Sequence, residues 1–387
     1  DLLATDLVVG DSAAGATAPP DFSSSDPANT RFIHRSLGNA EVYFVATKSQ
    51  RTETMVATFR MPGHRPELWH PESGRIERPA VYDDTPAGVK VPLTLGPSGS
   101  VFVVFRRDRP SESNRIVSIT RGDDPVLTVA AARQQPEVRV KAGPAYRLPD
   151  APATPGFAAH AEGSGVIRIA GDGGRYTVRS AAGTQHHLEV PTPPAPFSLT
   201  GPWSVSFDAR LGGPALAQPW NTLVDWAQSD VPGIRHYSGT AHYRTAFTLP
   251  PQPAHVRTYL DLGRVEVIAE VRLNGKPLGI LWKPPFRLEI SEALVAGENV
   301  LELAVTNLWP NRMIADESLP EDSERDARGA LKSWPAWAVD GSPNPTGRIS
   351  FTTWRLWKKG EPLIESGLLG PVTIQFASEF TFTMPTP

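Results

Sequence analysis

One stretch, residues 237–309, constrains the fold of this chain more than any other. Val265, Val267, Ala269, Val271 and Leu273 alternate with Glu266, Ile268, Glu270, Arg272 and Asn274, the two-residue period of a strand that turns one face to a core. Asn274-Gly275 ends the run. Asn-Gly accepts the positive φ of a two-residue type I′ turn, so residues 276–279 are expected to return antiparallel beside 265–273. Upstream, Tyr243, Thr245, Phe247 and Leu249 alternate with His242, Arg244, Ala246 and Thr248. Downstream, Leu301, Leu303 and Val305 alternate with Glu302, Ala304 and Thr306. Antiparallel strands at such spacing, separated by turn residues, are the material of a β-sandwich.

The rest of the chain agrees with an all-β reading. Forty prolines and 32 glycines in 387 residues favour turns over long helices, and the length suffices for two or three cores. Residues 1–29 read as the tail of a preceding domain. A first β-sandwich is expected over 30–135, with Val42, Phe44 and Ala46 on one strand, further strands at 54–59 and 101–106, and hairpins at 67–79 and 82–95. Residues 136–196 read as a linker with short strands at 166–169 and 175–178, or as part of the second sandwich. That second sandwich spans 197–387 and starts at the alternating 203–207.

Several chemistries are excluded or unsupported. A net charge of -3 supplies no field to attract nucleic acid or an anionic membrane. The absence of cysteine removes disulfides, thiolate nucleophiles and cysteine-bound zinc. No apolar run reaches the roughly 18 residues of a spanning helix. No GxSxG, HExxH or GxxxxGK[ST] motif occurs. His186 and His187 point to opposite faces of a regular strand, so they do not share one metal, and no metal ligand is assigned. Asp316, Glu317, Glu321, Asp322, Glu324 and Asp326 lack EF-hand spacing. They read as a solvated loop partnered by Arg325 and Arg328, with a calcium or sugar-hydroxyl role as the alternative.

Tryptophans crowd the last third of the chain. Sugars present flat C–H faces to aromatic rings and hydroxyls to Asn, Asp and Arg. Trp309, Trp334 and Trp337, with Asn311 and Arg312, are therefore the candidate substrate-binding residues, with core or interdomain packing as the bland reading. Trp354 and Trp357, in the strand-like 349–357, are expected in the core.

Two sets of motifs carry a resemblance. "YSGTAHYRTAFTLP" (237–250), "YLDLGRVEVIAEVRLNGKPLGILWKPPFRLEISEALVAGENVLELAVTN" (259–307) and "SGLLGPV" (366–372) resemble the galactose-binding-type jelly roll, notably the sugar-binding domain of glycoside hydrolase family 2. "FIHRSLGNAEVYFVAT" (32–47), "LWHPESGRI" (68–76) and "NLWPNRMIADESLPED" (307–322) resemble the C-terminal part of glycoside hydrolase family 106, the α-L-rhamnosidases. The resemblance implies an inverting, exo-acting parent enzyme that acts on rhamnosides and is periplasmic or secreted. It also implies a catalytic glutamate pair and a calcium ion on a TIM-type barrel. No eightfold alternation of strand and helix occurs here, so the barrel is expected upstream as an intramolecular partner, and no catalytic residue is assigned. The start at Asp1 reads as a chain entered midway. His34-Arg35, within "FIHR", reads as an interdomain ion pair or a substrate contact. A stand-alone carbohydrate-binding, lectin-like protein remains the alternative, as does a relative of β-galactosidase or β-glucuronidase. An exposed apolar patch on the first sandwich would favour the enzyme reading.

Overall fold

The computed structural model describes residues 20–130, 158–163 and 166–383. Half of the described residues are in strands and 7% in helices, so the all-β expectation holds. Residues 1–19 of the expected preceding tail, and 136–157 and 164–165 of the expected linker, lie outside the described residues.

The first sandwich pairs two antiparallel sheets. One runs Phe22–Ser24, Glu53–Phe59, Gly88–Leu95, Asp83–Thr85; the other runs Thr30–Leu37, Ala40–Thr47, Ser100–Pro110, His64–Trp69, Ile76–Pro79. Tyr43, Val45, Met55, Phe59, Val89, Val91, Val101 and Phe105 fill the space between them. Both expected hairpins form, the first closing through Gly74 at φ 69°. Phe22–Ser24, within the expected tail, pairs with Glu53–Phe59. His34, half-buried, reaches Asp21 at 2.9 Å and Glu41 at 3.0 Å, while Arg35 is exposed and donates to the His34 carbonyl.

The jelly roll occupies the C-terminal half. Its larger sheet runs Gln218–Trp220, Trp203–Phe207, Thr240–Leu249, Gly297–Thr306, Ile268–Leu273, Lys276–Leu281. Asn274 and Gly275 take φ of 54° and 75°, and Leu273 faces Lys276 across the turn, as the Asn-Gly pair predicts. The Asn274 side chain also donates to Ala293 O and Asn299 Oδ1 and accepts from Val300 N, each at 2.9 Å. One expectation is corrected. The alternation over 265–273 is two strands rather than one, because Arg264–Glu266 pairs with Gly367–Gly370 before Ile268–Leu273 joins the larger sheet. Val265 and Glu266 are both buried as a result.

A third core lies between these two. Ile116, Ile119, Ile167, Ile169, Tyr176, Val178, Val190 and Phe382 cluster there. They come from the sheet Asp124–Thr128, Ile116–Arg121, Gly174–Ser180, Gln185–Val190 and from strands Val166–Gly171 and Thr373–Thr383. The last strand belongs to two cores. Residues 373–378 pair with Val256–Asp261 of the jelly roll, whereas 378–383 pair with Val166–Gly171. Glu379, near the changeover, takes Arg257 at 2.6 and 2.7 Å and Arg168 at 2.9 Å. Although burial alone would raise it, these guanidiniums hold the Glu379 carboxyl below the usual carboxylate range. His186 and His187 separate as expected, His187 bonding Thr177 Oγ1 at 3.0 Å and His186 packing on Phe382.

Candidate functional site

Strand Gly297–Thr306 leaves the jelly roll and the chain returns at Gly367–Gly370; between them runs an irregular excursion with two short helices, Pro310–Asp316 and Ala336–Asp340. Proline at its first position suits the start of the first helix, where the missing N–H would have no partner. All five candidate sugar-binding residues fall on this excursion, but they divide by role.

Asn311 and Arg312 face inward. Asn311 is fully buried. Its Nδ2 donates to Ile364 O at 2.8 Å and to Ser366 Oγ at 3.1 Å, and its Oδ1 accepts from Ile364 N at 2.8 Å. Asn307, four residues earlier and ahead of the helix, repeats the arrangement, donating to Tyr237 O and Ser366 Oγ and accepting from Gly239 N. The two amides thus tie the outgoing and returning ends of the excursion together. Arg312 Nη2 lies 2.8 Å from Asp316 Oδ1 one helical turn on. Asp316, 1% exposed, also accepts from Ile349 N, Ser350 N and Ser350 Oγ at 3.1, 2.7 and 2.7 Å.

The acidic cluster divides: Glu321, Glu324 and Asp326 are exposed as expected, whereas Asp316 is buried and Glu317 and Asp322 half-buried, and the partners differ from those expected. Glu317 holds Arg348 at 2.8 Å and Arg355 at 3.3 Å, and Glu321 also pairs with Arg355. Arg325 instead donates to Gly329 O at 3.2 Å and Thr352 O at 2.6 Å. The arginines paired with Glu317 and Glu321 lie 31 to 38 residues downstream, a spacing that no local pattern reports, whereas Arg312 meets Asp316 within one helical turn. Asp316 and Glu317 are engaged by cations or backbone donors, so neither stands as a poised acid or base. Among the described residues no group of three or more His, Asp or Glu is arranged to hold a metal.

The tryptophans form the outward side. Trp334 and Trp337 both flank Phe351, with ring centroids 5.8 and 5.2 Å away. Trp337 is half-buried and its indole N–H donates to Asp322 O at 3.1 Å. Trp334 is 61% exposed, so the cluster is anchored below and open above, the form a sugar-stacking platform takes. Trp309 caps the first helix, is exposed, and shares no ring contact with that pair among the described residues. The core expectation for Trp354 is corrected: 349–357 is not a strand, and Trp354 is 48% exposed.

Sequence reasoning missed Glu266. It is 5% exposed, and burial pushes its carboxyl up to about 7, with the Glu365 and Asp225 carboxylates adding to the effect against Arg264. Arg264 lies 3.5 Å from Glu266 and 2.5 Å from Glu365. In the alternating pattern Glu266 takes an outward position, so no sequence signal marks it.

Comparison with known proteins fits this architecture. The family model for α-L-rhamnosidases of glycoside hydrolase family 106 matches residues 5–83. A protein of Formosa agariphila described as "Putative beta-glucuronidase" is 27% identical over 530 aligned residues, covering 97% of this chain and 45% of that protein. The rhamnosidase from Novosphingobium sp. PP1Y superposes with a TM-score of 0.60 at 26% identity, over 93% of this chain and 25% of that one. The chain spans less than half the length of these relatives. A region like those of glycoside hydrolase family 106, joined to a galactose-binding-like jelly roll, is what this chain comprises.

Proposed function

We propose that this chain is the C-terminal accessory region of a glycoside hydrolase that removes terminal α-L-rhamnose from glycosides or polysaccharides by inverting hydrolysis, with the catalytic barrel upstream in the same polypeptide. In this reading the sandwiches buttress the barrel, and Trp309 and the Trp334–Trp337 platform extend toward its rim. Calcium belongs to the barrel, and the parent enzyme works in the periplasm or outside the cell.

The observation that carries the reading is an apolar row on the outer face of the first sandwich. Ile33, Phe44, Phe102, Trp69 and Ile76 stand directly opposite one another across five adjacent strands. Directly paired residues share a face of the sheet, and Ile33 and Ile76 are 48% and 57% exposed. A continuous row of this kind suits burial against another domain. The greater length of the matching relatives supports such a domain.

The test compares the parent polypeptide with this chain for hydrolysis of an aryl α-L-rhamnoside, with and without a calcium chelator. Activity in the parent alone, lost on chelation, is the expected result. Activity in this chain alone would overturn the proposal and direct attention to Asp316 and Glu317. Inactivity of both would favour a carbohydrate-binding protein without a catalytic role.

A further inference from the structure

A groove lies where the first sandwich meets the jelly roll, outside the excursion. Residues 70–75 and 94–100 form one wall and 280–287 the other. The walls approach closely at Gly96, where an added Cβ would stand 3.7 Å from Pro285 Cδ. Lys283 pairs with Glu72 across the gap. The groove encloses about 350 Å³, within the range of small-ligand sites.

Two features of its lining point to a ligand. Trp282 is 53% exposed, a large aromatic surface beside a cavity, with the Lys283 ammonium 5.8 Å from its ring centroid. Arg287 packs its guanidinium 3.9 Å from the Tyr259 ring centroid, and its Nε and Nη2 are buried without a hydrogen-bond partner among the described residues. Buried guanidinium donors normally meet a carboxylate or an equivalent acceptor. Glu72 is the one carboxylate in the lining, against Arg75, Lys283 and Arg287, and it is already paired with Lys283. Arg75 is likewise paired with Glu77, and the Asp261 and Glu289 carboxylates act on Arg287 from outside the lining, so Arg287 is the cation of the lining that keeps donors without a hydrogen-bond partner among the described residues.

We propose that this groove binds an anionic sugar, its ring stacked on Trp282 and its carboxylate or sulfate ester held by Arg287. The site is separate from the excursion and does not depend on which glycosidic bond the parent enzyme cleaves. A planar fork of donors suits a carboxylate or sulfate better than a hydroxyl, and the tryptophan supplies the contact that free anions lack.

The test is calorimetric titration of the 387-residue chain with trigalacturonate, a sulfated galactan oligosaccharide and a neutral galactan oligosaccharide of equal length. At least one anionic probe is expected to bind tenfold or more tightly than the neutral one, and less tightly as salt rises; the two anionic arms tell carboxylate from sulfate. Trp282→Ala is expected to weaken that binding about fivefold, and Arg287→Gln tenfold or more. Trp282 is half exposed, so its variant keeps the fold and decides the matter if Arg287→Gln fails to fold. Equal affinity for neutral and anionic probes, no binding of either anionic probe, or unchanged binding by Trp282→Ala would overturn the proposal.

Discussion

Glu266 offers a sharp test of how the jelly roll is held together, because its cost depends on pH. Its carboxyl moves from an ordinary 4.5 to about 7 on folding, with desolvation as the largest cause. The folded state therefore holds the proton more tightly than the unfolded chain. The resulting stability is fully present below pH 4.5 and is lost as pH rises through 7. A displacement of this size corresponds to about 3 kcal/mol. Glu41, Glu77 and Glu379 are lowered on folding and act in the opposite sense, so the wild-type pH profile alone mixes the two signs. Replacing Glu266 by glutamine isolates it, since the amide mimics the protonated form at every pH. Glu266→Gln is expected to be more stable than wild type by about 3 kcal/mol at pH 8 and within about 1 kcal/mol of it at pH 5. Urea unfolding followed by tryptophan fluorescence at pH 5, 6, 7 and 8 measures the difference, with Trp203 and Trp226 buried in the same core. A difference that stays constant with pH, or a variant less stable at pH 8, would refute the reasoning.

Three further expectations follow from other contacts. Gly367 sits at φ +97° with its missing Cβ 2.3 Å from Trp226 Nε1, so Gly367→Ala combines backbone strain with overpacking and is expected to cost about 3 kcal/mol in thermal or urea unfolding; unchanged stability would show that the strand shifts freely. Asn311→Ala removes three hydrogen bonds that join the ends of the excursion and leaves the Ile364 backbone groups unmet, an expected loss of about 3 kcal/mol together with faster protease cleavage within 317–360. In the parent enzyme, Trp309→Ala is expected to impair aryl α-L-rhamnoside hydrolysis more than Trp354→Ala once both variants are shown to fold, and wild-type kinetics for Trp309→Ala would remove that residue from the site.

How much of this was legible in the sequence depended on how far apart the interacting residues lie. The hairpin at Asn274-Gly275 was readable because its turn chemistry is local, and the alternation of 242–249 and 301–306 announced a buried face that the structure supplies in Tyr243, Leu301, Leu303 and Val305. The excursion was not readable in the same way. Asp316 meets Ser350, Glu317 meets Arg348 and Arg355, and Asn311 meets Ile364, pairings set by tertiary closure rather than spacing. The same cause hid Glu266: alternation assigns it to solvent, but the chain changes sheets beside it and buries both members of the Val265–Glu266 pair.

The segments 116–128 and 166–190 show the limit most clearly. Their apolar residues are too few on any one strand to announce a core, and they acquire one only because the final strand continues past the jelly roll to pair with Val166–Gly171. Glu379 joins Arg257 on one side of that changeover to Arg168 on the other. A strand shared in this way joins the two cores through one continuous backbone, with Ile374 and Phe376 in the jelly-roll core and Phe382 in the third. The groove proposed for anionic sugars has the same origin. Arg75 comes from the first sandwich, Trp282 and Arg287 come from the jelly roll, and sites assembled at such junctions appear only once the fold has brought distant strands together.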